Sequence, residues 1–303
     1  MEIIYLGKDI YPDVAVNRCW YDSYCEGRAD ELVIRFNDAT AVWDRWKPEN
    51  GGVIEVRDEK VRTGVMHIYS FQPENGLYTL RARSCPASAY ENRTKSYDNV
   101  RLFDLAGEIA GRHGLRFENY AAQNHLYDYI EQRNINDLEL LNFRCMLEGY
   151  SLIVVDNKLI IYDQMTMESQ QPSDVLAVGK GDDFIYRDDN TEYFGSCVLT
   201  NGGRTGRFAA GTGRELSKRC SLYAADDGEM SRYARGILRR YDKDTAVCTL
   251  DGGQLYDGYA AGSVVRLETT GAESWDGTCF ITHIRHDLVF MLSRIEMRKP
   301  LGW

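Results

Sequence analysis

A change of hydrophobic period near the middle of the chain constrains the fold more than any other feature of the sequence. Over residues 99–112 apolar side chains recur at helical spacing, with Asp98 placed to cap the start of a helix and Gly114 its end. The apolar positions of this stretch are Leu102, Phe103, Leu105, Ala106, Ile109 and Ala110. The spacing predicts an amphipathic helix that buries one face.

A second helix and a hairpin follow in the sequence. The helix is predicted to open at Asn136, with Glu139 three residues later as a capping box, and to stop at Gly149. Residues 152–162 then carry two apolar runs around the Asp-Asn pair at 156–157, which tolerates positive φ in a tight turn. The two helices and the hairpin predict a compact α/β unit.

Short strand patterns separated by turn residues occupy roughly the first 90 residues. The strands are β-branched or alternate between apolar and polar side chains, as at 31–36, 52–57, 65–70 and 77–82. Clusters of Asn, Asp, Pro and Gly between them supply turn chemistry. Several short strands at this spacing predict a small antiparallel barrel or sandwich.

Strand patterns return after a linker predicted at 166–180, and a further helix is predicted over 226–241. The strands cover 184–186, 193–199, 246–250, 263–267, 277–284 and 289–297. A glycine-rich run at 201–213 lacks the GxxxxGKS/T order of a phosphate-binding loop. We therefore expect a hairpin tip there, or a flexible loop that orders on assembly.

Charge and cysteine content narrow the class of protein. The 303 residues carry a formal net charge of −10, which disfavours a protein that grips nucleic acid. The eight cysteines are scattered without a CxxC pair, so we expect buried or half-buried free thiols rather than a metal knuckle or a disulfide scaffold. No apolar run reaches the roughly 18 residues of a spanning helix, and the first residues lack a signal-peptide layout. These features predict synthesis in the cytoplasm, with no membrane insertion and no specific nucleic-acid binding.

Candidate catalytic and metal-binding residues do not form a convincing set. His283 and His286 make an HxxH pattern, but inside a strand their odd offset points the side chains to opposite faces. Adjacent carboxylates at 182–183, 188–189 and 226–227 are typical of solvated turns, although a glycosidase also needs a carboxylate pair. No GxSxG or HExxH motif is present. The sequence therefore assigns no catalytic, cofactor-binding or metal-binding residue, and it predicts a protein that is not an enzyme and uses no cofactor.

Several short motifs accompany this order of elements. The motifs in the middle of the chain are LRF at 115–117, EQRNINDL at 131–138, EGY at 148–150 and LIVVDNKLIIY at 152–162. Those near the end are AGSVV at 261–265, WDGTCFITHIRHD at 275–287 and MLSRIEM at 291–297. The motifs are architectural and carry no catalytic residue. Together with the order of elements they resemble one family, the hub proteins of phage tails, which includes the late control protein D of contractile phages, the baseplate hub, and the hub part of type VI secretion spikes.

The resemblance implies an α+β, mostly β fold with two tube-like antiparallel β-barrels, an intervening small α/β domain and a C-terminal strand-rich module. The expected division is an N-terminal barrel at 1–90, the α/β domain at 91–165, a second barrel formed by 166–240 with 286–303, and a small β module at 241–285.

The resemblance also implies a homotrimer whose six barrels form a pseudo-sixfold ring, joining a sixfold tail tube to a threefold spike. Expected partners are copies of the same chain, the tail spike protein, the tail tube protein, and the tape measure and baseplate proteins. The expected location is the tail baseplate of a virion or of a phage-like contractile injection particle. Since no β-helical extension follows the last strand pattern, the spike is expected to be a separate protein.

A second hypothesis is a β-barrel carbohydrate-binding or glycan-hydrolysing protein. A cleft with converging carboxylates and aromatic side chains would favour it over the hub. The sequence leaves open whether the particle is an infectious phage, a prophage product or a bacteriocin, and whether its tail is contractile.

Overall fold

The computed structural model describes residues 1–59, 61–189, 191 and 193–303. Strands make up 49% of the chain and helices 19%, which confirms the predicted α+β, mostly β class. The helices are α1 (Val42–Trp46), α2 (Leu102–Arg112), α3 (Asp137–Glu148), α4 (Gln164–Glu168) and α5 (Asp227–Asp242). The strands are β1 (Glu2–Tyr5), β2 (Lys8–Asp9), β3 (Ala15–Tyr24), β4 (Glu31–Asn37), β5 (Val53–Asp58), β6 (Val61–Arg62), β7 (Met66–Glu74), β8 (Leu77–Arg83), β9 (Asn92–Arg101), β10 (Arg116–Tyr120), β11 (Leu126–Asn136), β12 (Tyr150–Val155), β13 (Lys158–Asp163), β14 (Val175–Val178), β15 (Asp183–Asp188), β16 (Phe194–Asn201), β17 (Arg204–Ala209), β18 (Arg214–Arg219), β19 (Ala246–Gly252), β20 (Val264–Thr269), β21 (Gly277–Asp287) and β22 (Leu292–Arg298).

The N-terminal strands form an antiparallel array in the order β3–β4–β8–β7–β5–β1–β2. Because side chains alternate along a strand, Leu32, Ile34 and Phe36 of β4 lie on the same face, and all three are fully buried in one core. Trp43 of α1 is buried at the same core and stacks on Tyr78 with ring centroids 5.1 Å apart. The array therefore encloses a core of its own.

The C-terminal strands extend the same sheet in the order β15–β19–β22–β21, because β21 pairs with β3 and places His286 opposite Tyr21. Strand β20 pairs with β21, and β14 pairs with β20 in parallel. These strands enclose a second apolar core around Trp275. Both ends of the chain thus share one continuous hydrogen-bonded sheet.

The α/β unit forms around α2 and α3 as the local signals predict. Asn136 caps α3 by accepting a hydrogen bond from the Glu139 amide at 2.8 Å, and the Glu139 carboxylate completes the capping box. Asp156 and Asn157 both have positive φ in the turn between β12 and β13. Strand β13 pairs with β12 and, in parallel, with β10. The predicted second helix and hairpin are confirmed.

The predicted start of α2 is wrong. Residues up to Arg101 belong to β9, which pairs with β11 and places Asp98 opposite Tyr129. The ladder hydrogen bonds of this ribbon outcompete the helix, so Asp98 does not cap it. The amide of Phe103 in the first turn instead donates to the side chain of Asn124 at 2.9 Å. A distant residue therefore supplies the cap.

Helix α5 packs between the sheet β17–β16–β18 and helix α3. A Cβ on Gly206 of β17 would lie 2.1 Å from the main chain of Met230, and one on Gly236 would lie 2.1 Å from the carbonyl oxygen of Leu147. Only glycine permits such close approach at both places. As a result β16–β18 and α5 share their apolar core with the α/β unit.

The structure defines the glycine-rich run and the linker that the sequence predicts. The glycine-rich run at 201–213 is a hairpin in which Gly202 and Gly203 turn β16 into β17, followed by β18, so the hairpin prediction is confirmed. The stretch 166–180 is more than a linker, since it contains the end of α4 and all of β14. The proposed division into four domains concerns independent folding and stays a prediction.

All eight cysteines are buried free thiols, which confirms that prediction. None of the described helices has the length and apolar content needed to cross a membrane.

Candidate functional site

A cluster of buried charged side chains lies where the two ends of the chain meet the α/β unit. This charged junction comprises Glu26 in the β3–β4 loop, Glu168 at the end of α4, Arg239 in α5, Lys243 just after α5, and Arg298 at the end of β22. All except Glu26 have side chains that are at most 4% exposed. Charges removed from water to this extent need partners, and each of the five has them.

Arg298 bridges the two acids of the junction. One guanidinium nitrogen lies 2.7 Å from Oε1 of Glu168, and the other lies 3.3 Å from Oε1 of Glu26. Lys243 pairs with the same oxygen of Glu26, and Arg239 pairs with the second oxygen of Glu168. The last strand is thereby tied to an N-terminal loop, to α4 and to α5.

Gln164 carries the network into the α/β unit. Its amide oxygen accepts from Nε of Arg239 at 2.8 Å, and its amide nitrogen donates to Glu26 and to the hydroxyl of Ser151 at 2.8 Å each. Arg239 also donates to the main-chain carbonyl of Trp303. The hydroxyl of Ser151 in β12 also donates to Glu26 at 3.0 Å, so α4 and β12 hold the same N-terminal loop.

The electrostatics of the junction keep Glu26 ionised. Burial alone would raise the pKa of Glu26, but Lys243 and Arg298 lower that pKa to about 2. Burial likewise opposes the charge on Arg298, and Glu26 and Glu168 nevertheless raise its pKa. Burial lowers the pKa of Lys243 in spite of its contact with Glu26. A carboxylate held in this way is an anchor for its neighbours and a poor proton carrier at neutral pH.

The HxxH pattern does not form a joint site. Nε2 of His283 lies 2.7 Å from Asp22, and its Nδ1 lies 3.4 Å from Glu296. His286 is buried and its Nδ1 lies 2.9 Å from the hydroxyl of Ser293. The two imidazoles thus bind different partners. Among the described residues, no group of three or more His, Cys, Asp or Glu side chains is placed to hold a metal ion.

Two clefts flank the contact between the N-terminal strands and the α/β unit, with volumes of 470 and 320 Å³. Tyr24 and Ile153 line both. In the smaller cleft Asp30 accepts a hydrogen bond from the hydroxyl of Tyr21 at 2.7 Å, and burial raises the pKa of Asp30 to about 6. Asp30 therefore serves as a buried acceptor within the fold.

The larger cleft is lined by two carboxylates, and both already have structural partners. Glu31 accepts from the hydroxyl of Tyr69, and Glu139 takes part in the capping box with Asn136. A retaining or inverting glycosidase needs one carboxyl group free to donate a proton and a second free to attack or to activate water. The described lining of this cleft presents no such free pair.

The adjacent acids singled out in the sequence lie in turns, caps and strand ends. Asp226 caps α5 by accepting from the amide of Glu229 at 2.8 Å, and Asp182 accepts from the amide of Gly179 at 2.7 Å. Asp183 and Asp188 are exposed at the two ends of β15. These positions agree with the interpretation as solvated turns.

Sequence reasoning missed the charged junction altogether. Glu26 and Arg298 are separated by 272 residues, so no local spacing links them. The available signal is weak: Arg239 follows the buried Leu238 in α5, and Arg298 follows the buried Met297 in β22. A charged residue that interrupts an apolar pattern indicates a buried partner of opposite charge, but the pattern does not identify which residue that partner is.

The fold is shared with solved structures of tail proteins. A prophage MuSo2 43 kDa tail protein from Shewanella oneidensis matches with a TM-score of 0.75 at 13% sequence identity, over 99% of each chain. A tail protein from Neisseria meningitidis MC58 matches with a TM-score of 0.75 at 14% identity, over 99% of this chain and 97% of that one. A type VI secretion component from E. coli, described as similar to the T4 tail proteins gp27 and gp5, matches with a TM-score of 0.61 at 11% identity, over 99% of this chain and 77% of that one. No protein-family profile and no curated protein sequence matches.

These likenesses define the class by its architecture. The chain shares its fold with these tail proteins and with the type VI secretion component, from its first strands to its last. The resemblance to tail hub proteins that the sequence motifs predict is therefore confirmed in the fold.

Proposed function

We propose that the protein is a structural hub of a phage tail or a phage-like contractile injection particle, where it forms a trimeric ring between a sixfold tail tube and a threefold spike. One observation carries the proposal: two tail proteins, one of them from a prophage, share the fold over 99% of this chain. The likeness extends across both ends of the sheet and the α/β unit, so the proposal concerns the whole chain.

Two strand-rich bodies in each subunit support the proposed ring. Strands β1–β8 enclose one apolar core, and β14, β15 and β19–β22 enclose another. We assign these bodies to the two tube-like barrels of the hub, with β14, β15 and β19–β22 in place of the second barrel expected at 166–240 with 286–303, because β16–β18 share the core of the α/β unit. Three subunits then present six similar bodies. A closed ring of this kind meets a sixfold tube and a threefold spike with one type of chain.

The charged junction has a mechanical role in this account. Ring closure requires that the two bodies of a subunit keep a fixed angle, since each must meet its neighbour at the same time. Arg298 and Glu26 belong to opposite ends of the chain, and their contact lies beside α4 and α5. A buried network with many simultaneous partners resists rotation of one body against the other.

The proposed partners are further copies of the chain, the spike, the tail tube, and the tape measure and baseplate proteins. The proposed location is the tail baseplate, after synthesis in the bacterial cytoplasm. We assign no enzymatic activity, and the structural partners of Asp30 and Glu31 in the two clefts support that view.

Negative-stain electron microscopy of the purified protein, alone and with its cognate spike protein, tests the proposal. We expect averages of a ring with six lobes and threefold symmetry, at least when the spike is present. Single particles of one subunit under both conditions would reject the ring.

A further inference from the structure

Two neighbouring segments of the chain carry opposite charges of equal size. Residues 174–192 contain six acidic and two basic residues, for a net charge of −4. Residues 193–225 contain five basic residues and one acidic residue, for a net charge of +4 in a chain whose total is −10. This reversal of net charge within about fifty residues is the pattern expected of two complementary contact surfaces.

The basic segment folds into β16–β18, and α5 covers one face of this small sheet. Gly206 of β17 lies on the covered face, where a Cβ would meet the main chain of α5 at 2.1 Å. Its neighbour Arg207 therefore lies on the other face. Arg219 of β18 shares that face, because Arg207 and Arg219 pair with Val198 and Thr200, two residues apart on β16.

Arg207 and Arg219 are exposed and form no ion pair with any described residue. The same face also carries the hydroxyl groups of Thr200, Thr205 and Ser217, the side chain of Val198 and, at its end beside Ser217, the exposed carboxylate of Glu215. We call this the basic face. Two unpaired guanidinium groups on a flat surface are suited to bind carboxylates across an interface.

The acidic segment contains β15, which is an edge strand. Within the described part of the chain β15 pairs only with β19, so its other edge is open. Asp183 and Asp188 are exposed at its two ends, on opposite faces of the strand because their offset is odd, and form no ion pair with described residues. Ile185 between them is 67% exposed. An open edge that carries an exposed isoleucine is a surface that proteins normally cover.

We propose that β15 of one copy docks against the basic face of the next copy, so that subunits join head to tail. The inference rests on the proposed trimeric hub and names its subunit contact. A second copy is the fitting occupant because the two surfaces carry complementary charge on the same chain, while Asp183 and Asp188 reach neither Arg207 nor Arg219 within a subunit. A closed ring needs such a contact between two different surfaces of identical chains.

Charge reversal on the basic face tests this contact. We expect the Arg207→Glu/Arg219→Glu variant to weaken the trimer by about 100-fold or more in sedimentation equilibrium at low salt, since like charges then face each other. The matched control is Arg45→Glu/Lys47→Glu, which makes the same change of charge at two exposed residues of the N-terminal body and should leave the trimer unchanged. Circular dichroism and thermal melting of each variant separate loss of contact from loss of folding.

A compensating reversal makes the test specific. Asp183→Lys/Asp188→Lys alone should also weaken the trimer, and combining it with Arg207→Glu/Arg219→Glu in one chain should restore most of the affinity. A folded trimer that tolerates both separate reversals overturns this inference and leaves the hub proposal standing. A wild-type protein that stays a single chain even with its cognate spike overturns the hub, and the inference with it. If only binding of a heparin tetrasaccharide is lost with Arg207 and Arg219 while the trimer persists, the face belongs to an external polyanion and the inference is wrong.

Discussion

Arg298, at the end of the last strand, lies 2.7 Å from the carboxylate of Glu168 at the end of α4, and both side chains are at most 3% exposed. This contact joins the C-terminal strand to the α/β unit in a region from which water is excluded. It is also the centre of the charged junction, because Arg298 reaches Glu26 at 3.3 Å as well. The stability of the whole subunit should depend on it.

Replacing Arg298 with alanine should destabilise the protein by about 3 to 5 kcal/mol, because two acids would be left without their shared partner. Urea denaturation measures this loss. The control is Arg294→Ala, whose partner Asp251 lies at 3.1 Å on the exposed surface, with an expected cost below about 1 kcal/mol. Equal costs for the two variants would show that the junction adds no more than a surface pair.

The ionisation of Glu26 should affect how the free energy of unfolding depends on pH in the acid range. Lys243 and Arg298 lower its pKa to about 2 in the folded chain, against 4.5 for an unperturbed glutamate. Its contribution is therefore present above about pH 4.5 and is lost as the pH falls towards 2. The Glu26→Gln variant should lack this part of the pH dependence in urea titrations between pH 2 and 6. Parallel curves for wild type and variant would contradict the assignment.

Asp242 should have the opposite dependence. It is fully buried at the end of α5, and burial raises its pKa to about 6 from the ordinary 3.8. The stability that it contributes is thus present below about pH 4 and is lost as the pH rises through 6. Asp242→Asn keeps an acceptor for the Phe194 amide and cannot ionise, so it should gain about 2 to 3 kcal/mol relative to wild type between pH 4 and 7. If the free energies of unfolding of Asp242→Asn and wild type differed by the same amount at every pH, the raised pKa of Asp242 would be contradicted.

The approach of α5 to β17 should depend on Gly206. Gly206→Ala places a Cβ 2.1 Å from the main chain of Met230, and we expect a loss of about 1 to 3 kcal/mol from the forced shift. Gly211→Ala is the control, because a Cβ there meets nothing within 4 Å and the backbone needs no positive φ. Thermal melting of the two variants makes the comparison, and equal melting temperatures would contradict the close packing.

The parts of the fold that could be predicted are those with local signals. The capping box of Asn136 and Glu139 and the turn at 156–157 each lie within a few residues, and both are found as expected. The start of α2 was misplaced because the competing ladder with β11 comes from residues almost thirty positions away. Local propensity yields to such pairing when the ladder satisfies more backbone groups.

The grouping of the later strands depends on contacts that no short window contains. Strand β21 pairs with β3 across more than 250 residues, so the sheet joins the two ends of the chain. Helix α5 joins the core of the α/β unit because Gly206 and Gly236 allow it to approach closely. The presence of a glycine in the sequence does not indicate which element packs against it. The charged junction escaped prediction for the same reason.

The mass of the purified protein in solution, measured by light scattering coupled to size exclusion, tests the central claim most directly. The account predicts three times the 34.7 kDa mass of the chain, either for the protein alone or once its cognate spike protein is added. A mass of one chain under both conditions, at concentrations up to about 100 μM, would contradict the trimeric hub.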